Sequence, residues 1–214
     1  LRDMDIRGAG NLLGGEQSGF IADIGFEMYH KILDEAIQEL KYTDFKDVFK
    51  EQIEEQKQFV YDCTIDTDVE MLIPLEYVQN TDERLRLYTE LDEIQNEESL
   101  QKFAKKIEDR FGKLPKQINE LFDGLRIRWI AKKIGFERII LKNGKLRCYF
   151  LDNPKSPYYD SPYFPKVMEQ IQNSKKKCVM KQSGNSLILV YDNIKTMSQT
   201  EAIFKEIDEK VFGG

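Results

Sequence analysis

Hydrophobic positions along the chain change period several times, and each change marks an element. At Phe26, Tyr29, Ile32, Leu33, Ala36, Ile37 and Leu40 apolar side chains recur at i, i+3, i+4 and i+7, the spacing of one buried helix face. The opposite face is charged. A helix over 26–41 would be roughly 24 Å long at about 1.5 Å per residue. The following YTDFKDVFKEQIEEQKQ, residues 42–58, is dense in charge and sparse in apolar residues, which reads as a linker. From residue 59 the period becomes two. Phe59, Tyr61, Cys63 and Ile65 alternate with Val60, Asp62, Thr64 and Asp66, the pattern of a half-buried strand. EMLIPLEYV, interrupted by Pro74, is a second extended or loop segment.

Helical spacing returns over 82–94. Asn96 then suits an N-cap, and Glu97 and Glu98 suit the positive end of the helix it starts. Leu100, Phe103, Ala104, Ile107 and Phe111 form that helix's stripe, and Gly112 ends it. Pro115 opens a further helix, 115–134, at a position where its missing N–H costs little. This helix has two apolar stripes: Ile118, Leu121, Phe122, Leu125 and Trp129, and Ile127, Ile130, Ala131 and Ile134. Such breadth predicts a central helix touching more than one layer. Gly135 caps it.

RIILKNGKLRCYF predicts a hairpin turning at Asn143-Gly144, a pair that favours a type I′ turn. KCVMKQSGNSLILVYD predicts a second hairpin around Ser183-Gly184-Asn185. Helices are expected between them, over 163–172, and at 197–211. The fold class is therefore α+β: an N-terminal helical segment, then a domain of helices packed with antiparallel β-hairpins.

Charge divides the chain. Residues 1–58 carry 13 acids and 7 bases, whereas 59–214 carry 25 of each, which together give the net −6 of the 214 residues. Duplex-DNA binders usually carry a basic excess, because affinity rests on neutralising phosphates. Neither portion has one. No run of about 18 apolar residues is present, so no membrane-spanning helix is expected. The start, LRDMDIRG, has no basic segment leading into an apolar one, as a signal peptide requires. It also lacks an initiator Met, so an excised fragment of a cytoplasmic protein is expected. The three cysteines, Cys63, Cys148 and Cys178, lack CxxC spacing. They fit reduced core thiols and do not fit a zinc ribbon.

Candidate chemistry is thin. Six of the 13 glycines fall within residues 6–26, IRGAGNLLGGEQSGFIADIGF. A phosphate loop is one reading, but no G-x-x-x-x-G-K-[ST] occurs and no apolar strand leads into the glycines. Tight turns with positive φ are the other. His30 has no second ligand at metal spacing and reads as a solvated helix residue. The acid pairs Glu54/Glu55, Asp92/Glu93 and Glu97/Glu98 are adjacent and so diverge on a helix. A hydrolytic site built from dispersed carboxylates would need two acids that converge. Tyr158, Tyr159 and Tyr163, with Lys175, Lys176 and Lys177, offer a nucleic-acid platform. The tyrosines equally fit a loop packed onto the sheet.

The order RDMDIRGAGNLLGGEQSGFIADIGFEMY resembles the segment after the last helicase motif of the transcription-repair coupling factor (Mfd) family, bacterial superfamily 2 DNA translocases. LIPLEYVQNTDERLRLYTEL, EDRFGKLPKQINEL and AKKIGFERIIL resemble that family's C-terminal domain. The quoted motifs cover roughly 1–150, and beyond that the resemblance rests on element order. It implies three parts: 1–25 as a remnant of the translocation motif, 26–58 as connector helix and linker, and 59–214 as a regulatory domain. It also implies that Arg7 and Gln17, with Gly8, Gly10 and Gly14, couple ATP hydrolysis to movement in the intact translocase, which would bind ATP and Mg. This chain shows no Walker A or DExx box and is expected not to hydrolyse ATP. In the family the C-terminal domain docks on an N-terminal UvrB-like domain and masks the surface that recruits UvrA. Duplex DNA and stalled RNA polymerase are the intact protein's other implied partners. For the docking face, the mixed charges of Lys102, Lys105, Lys106, Glu108 and Asp109, beside a clear apolar stripe, single out the exposed side of the 97–111 helix.

Overall fold

A computed structural model of the chain describes residues 25–27, 30 and 59–213. The glycine-rich segment with Arg7, Gly8, Gly10, Gly14 and Gln17, most of the 26–41 helix and the charged linker lie outside the described residues. Six helices and five strands follow residue 59: β1 (Thr64–Thr67), α1 (Thr81–Glu93), α2 (Glu97–Phe111), α3 (Lys116–Ile134), β2 (Phe136–Lys142), β3 (Lys145–Phe150), α4 (Pro157–Asp160), α5 (Tyr163–Asn173), β4 (Val179–Ser183), β5 (Ser186–Asp192) and α6 (Met197–Phe212). This is an α+β fold. The described residues form two compact units. One holds 25–27, His30 and Met71–Leu121; the other holds 59–70 and 122–213. The boundary falls inside α3.

The first unit is helical. Asn80 and Asn96 cap α1 and α2, each side chain accepting an N–H three residues on, from Glu83 and Ser99, at 2.9 Å. These caps satisfy donors that a helix start leaves without partners. Gly112, at φ +93°, ends α2. Leu100, Phe103 and Ile107 of the expected stripe are buried. The IPLEYV segment is a turn and not a strand: the Pro74 carbonyl accepts the N–H groups of Tyr77 and Val78 at 3.0 and 3.1 Å. Met71, Ile73 and Val78 are buried around it, and Leu75 is exposed. The Ile73 N–H donates to the Tyr88 hydroxyl at 2.9 Å, and Phe26 lies 5.9 Å from the Tyr88 ring.

The second unit is built on one mixed sheet, ordered β1-β2-β3-β5-β4. Both hairpins form as the turn residues predict. Asn143 and Gly144 have φ of +54° and +70°, as both central residues of a type I′ turn require. In the second hairpin Ser183 pairs with Ser186 across the two residues Gly184 and Asn185. The sheet is not wholly antiparallel, however, because β1 runs parallel to β2, with Ile65 opposite Ile139. The strand expected from residue 59 starts only at Thr64. Without a paired neighbour over 59–63 the period of two fails there: Val60 is buried and Tyr61 is exposed.

Leu146, Cys148 and Phe150 of β3 point into the core and alternate with half-buried Arg147 and Tyr149, so one sheet face is covered and the other is wetter. Phe136 and Phe150 meet at 4.8 Å, and Phe204 of α6 lies 5.4 Å from Phe136. Thr196 caps α6 by accepting the Gln199 N–H at 3.1 Å. At Gly135 the backbone takes φ +111°, and a side chain there would run into the Tyr158 ring. The Tyr158 hydroxyl donates to the Ile134 carbonyl. One glycine thus ends α3 and leaves room for the tyrosine that seals the end of the helix.

Candidate docking surface

α2 presents the most sharply patterned surface of the first unit. Its buried stripe fixes the rotation of the helix, and this places Lys102, Lys105, Lys106, Glu108, Asp109 and Arg110 at the surface. Three of these charges are tied down. Lys102 pairs with Glu98 one turn earlier at 2.6 Å. Lys106 pairs with Glu90 of α1, and Arg110 pairs with Glu83 of α1. Lys105, Glu108 and Asp109 make no ion pair among the described residues. Tyr77 buttresses the end of the helix by donating to the Ile107 and Gly112 carbonyls at 3.2 and 2.7 Å. Burial and the neighbouring Glu108 hold its phenol above its ordinary pKa. The result is an exposed face of mixed charge, with three of its cations paired to carboxylates. It matches a protein surface of complementary charge pattern better than a phosphate backbone, which needs one sign.

Several residues behave differently from their sequence pattern. His30 is not on a solvated face: Nδ1 contacts the Asp92 carboxylate, and both side chains are about four-fifths buried. Arg84, which the helical pattern of α1 marks as polar, is almost fully buried. Its guanidinium donates to the Val78 and Gln79 carbonyls at 2.7 and 3.2 Å, stapling the preceding loop to the helix. No spacing rule signals either contact, because both partners lie outside the helix period.

Tyr158 is fully buried and packs on Phe59 and Phe150. Tyr163 packs on Phe59 and Phe212, and the Tyr159 hydroxyl donates to the Leu151 carbonyl. The tyrosines therefore hold the loop to the core, and Tyr158 presents no face on which a base could stack. Lys175 and Lys177 remain exposed and Lys176 is half-buried. Cys63 and Cys148 are buried, whereas Cys178 is only half-buried. Burial raises the Cys148 thiol pKa well above its ordinary value.

Two acids do converge, in the second unit. Asp123 of α3 hydrogen-bonds Glu201 of α6, and burial together with the Glu201 charge lifts the Asp123 pKa to about 6. Arg126 binds Asp123 at 2.9 Å, and Lys205 binds Glu201. Each carboxylate thus has a basic partner in place, as in a structural network joining two helices. Among the described residues no cluster of three or more His, Cys, Asp or Glu is placed to hold a metal ion. No described helix is long and apolar enough to cross a membrane.

Comparison with known proteins agrees with this architecture. Residues 67–161 match the TRCF domain family. A crystal structure of the C-terminal domain of transcription-repair coupling factor superposes with a TM-score of 0.58 at 15% identity, covering 71% of this chain and 96% of that one. The transcription-repair coupling factor of Rickettsia conorii is 37% identical over 138 residues, 64% of this chain and 11% of its own length. That of Staphylococcus epidermidis is 33% identical over 139 residues, 65% of this chain and 11% of its own. The Borreliella burgdorferi protein is 27% identical over 209 residues, 97% of this chain and 17% of its own. The chain corresponds to the C-terminal region of a transcription-repair coupling factor, and it spans between a tenth and a fifth of the length of these relatives.

Proposed function

We propose that residues 59–214 are the autoinhibitory docking module of a bacterial DNA translocase that displaces stalled RNA polymerase and recruits excision repair. The single observation carrying this reading is the exposed mixed-charge face of α2, whose Lys106 and Arg110 pair with α1. In the intact protein this face would dock on a UvrB-like domain and mask the surface that binds UvrA. Residues 26–58 would connect the module to the motor, and residues 1–25 would belong to the motor's translocation motif, with Arg7 and Gln17 changing partners as ATP is hydrolysed. ATP, Mg and duplex DNA would be bound by other parts of the intact, cytoplasmic protein, and this region would carry no ATPase activity itself. The planar, multi-donor guanidinium of Arg7 and the donor–acceptor amide of Gln17 suit such a change of partner.

The test is made in the full-length coupling factor carrying this region. Lys105→Glu with Asp109→Lys reverses two of the three α2 charges that make no ion pair among the described residues, and should raise both basal ATPase and UvrA binding. Unchanged values for both would remove α2 from the docking role. Arg7→Ala or Gln17→Ala should leave ATP hydrolysis but lose polymerase displacement, and normal displacement by both variants would refute the coupling role.

Direct nucleic-acid binding through Tyr158, Tyr159, Tyr163 and Lys175–Lys177 is the second reading. The burial of Tyr158 weighs against it, which leaves half-buried Tyr159 and Tyr163 and the lysines as its surface contacts. Binding of DNA by this chain with a steep salt dependence would restore it.

A further inference from the structure

The sheet of the second unit ends at β4, and that edge is open. All five residues from Val179 to Ser183 are exposed. Val179 and Met180, at 54% and 41% exposure, are two of only four large apolar residues exposed among the described positions. On its inner side β4 pairs with β5, Val179 opposite Val190 through Ser183 opposite Ser186. The two-residue turn closes on the Ser183–Ser186 pair, so the hydrogen bonds to β5 fall at Ser183, Lys181 and Val179. The alternation of an antiparallel ladder then aims the N–H and C=O groups of Met180 and Gln182 away from the sheet.

The edge is also strongly basic. Lys175, Lys176 and Lys177 lead into it and Lys181 lies on it, while no acid occurs between Lys175 and Asp192. Sheet edges commonly carry lysine as protection against pairing with another copy of the same chain. A parallel in-register pair of β4 strands would set these four lysines against their own equivalents, an antiparallel pair centred on Lys181 would still oppose that lysine to itself, and like charges across a strand pair repel. The lysines that repel a second copy attract an acidic strand.

We propose that β4 is a docking strand for an extended acidic segment of a partner protein, which joins the sheet as a sixth strand. Main-chain bonds to Met180 and Gln182 supply the pairing. Val179 and Met180, on opposite faces, supply apolar neighbours. Lys175, Lys176, Lys177 and Lys181 select acidic side chains. Such strand addition separates affinity, carried by the backbone, from specificity, carried by alternate side chains. The surface is distinct from α2, so loss of one docking role leaves the other standing.

The probe is a capped peptide, Glu-Val-Glu-Val-Glu-Val, titrated into the whole chain with amide resonances followed by NMR. Shifts should concentrate at 179–183, and hydrogen exchange should slow at the Met180 and Gln182 amides. Reversing Lys175, Lys176 and Lys177 to Glu should weaken binding about tenfold or more at low salt. Gln182→Pro removes an outward N–H without touching the ladder to β5, and should abolish the slowed exchange with the circular dichroism spectrum unchanged. If that variant unfolds, the lysine reversals decide. Shifts elsewhere only, equal binding of the lysine counterpart of the peptide, tighter binding of single-stranded oligothymidylate, or a concentration-dependent dimer through β4 would each overturn the proposal.

Discussion

The two ends of the sheet are built in opposite ways. β1 is short, parallel to its neighbour and tied down by side chains from elsewhere. Arg128 of α3, itself almost fully buried, donates from Nε to the Cys63 carbonyl at 3.1 Å, with Asp62 3.7 Å away. Asp66 pairs with Lys142 at 2.8 Å, and the Asp68 carboxylate accepts the Asn143 N–H at 2.9 Å. Among the described residues β4 has only its ladder to β5 and a row of exposed side chains. The difference shows where stability and recognition reside in this unit. A parallel strand cannot be held by a tight turn, so β1 needs contacts brought from far along the chain. A hairpin strand such as β4 is kept in register by its own turn and can leave its outer edge free.

This contrast can be broken most severely at Arg128. Arg128→Ala removes the Nε donor from the Cys63 carbonyl and a cation from beside Asp62, and removing one partner of a buried charged contact costs about 3 kcal/mol or more. A chemical-denaturation midpoint should fall accordingly, with exchange protection lost first over 62–67. A loss below about 0.5 kcal/mol, the size of an ordinary surface change, would show that β1 is held by its ladder alone.

A smaller effect is expected from α3's other polar pair. The folded state holds the Asp123 pKa near 6, above the ordinary value of 3.8, so the folded form binds the proton more tightly than the unfolded one. The proton's stabilising contribution is complete below about pH 4 and is lost as pH rises through 6. Allowing for solvent screening, the swing is roughly 1–2 kcal/mol. Asp123→Asn should flatten the melting temperature between pH 4 and 7. An unaltered slope would assign it to other groups.

The smallest effect belongs to β4. Val179→Thr with Lys181→Gln, both on exposed edge positions, should change stability by no more than about 0.5 kcal/mol. A loss comparable to that of Arg128→Ala would mean that the open edge is structural and that the contrast between the two ends fails.

The Asn96 cap, α2 with its stripe, and the two hairpins with their turn residues were legible in the amino-acid sequence. Each depends on side chains within a few positions of one another, and capping, helical period and turn chemistry are local rules. α2 was located at its structural bounds, 97–111, for that reason. The parallel placement of β1 was not legible, since its partner β2 lies some seventy residues on and no local pattern distinguishes parallel from antiparallel pairing. Nor was the burial of Arg84, which depends on carbonyls of the loop before α1.

The candidate surface divides in the same way. The exposed charges of α2 followed from its stripe, since burying one helix face leaves the other to solvent. Which of them remain unpaired depended on Glu83 and Glu90 of α1, and only their placement left Lys105, Glu108 and Asp109 over. The tyrosine-rich loop allowed two readings in sequence, and the core chose between them, because Gly135 leaves the space that the Tyr158 ring fills. Most helices, both hairpin turns and the exposed face of α2 can be read from local residue order, because they arise from interactions within a few positions. The parallel edge, the buried ion pairs and the open basic strand cannot, because each depends on groups that meet only when distant segments pack.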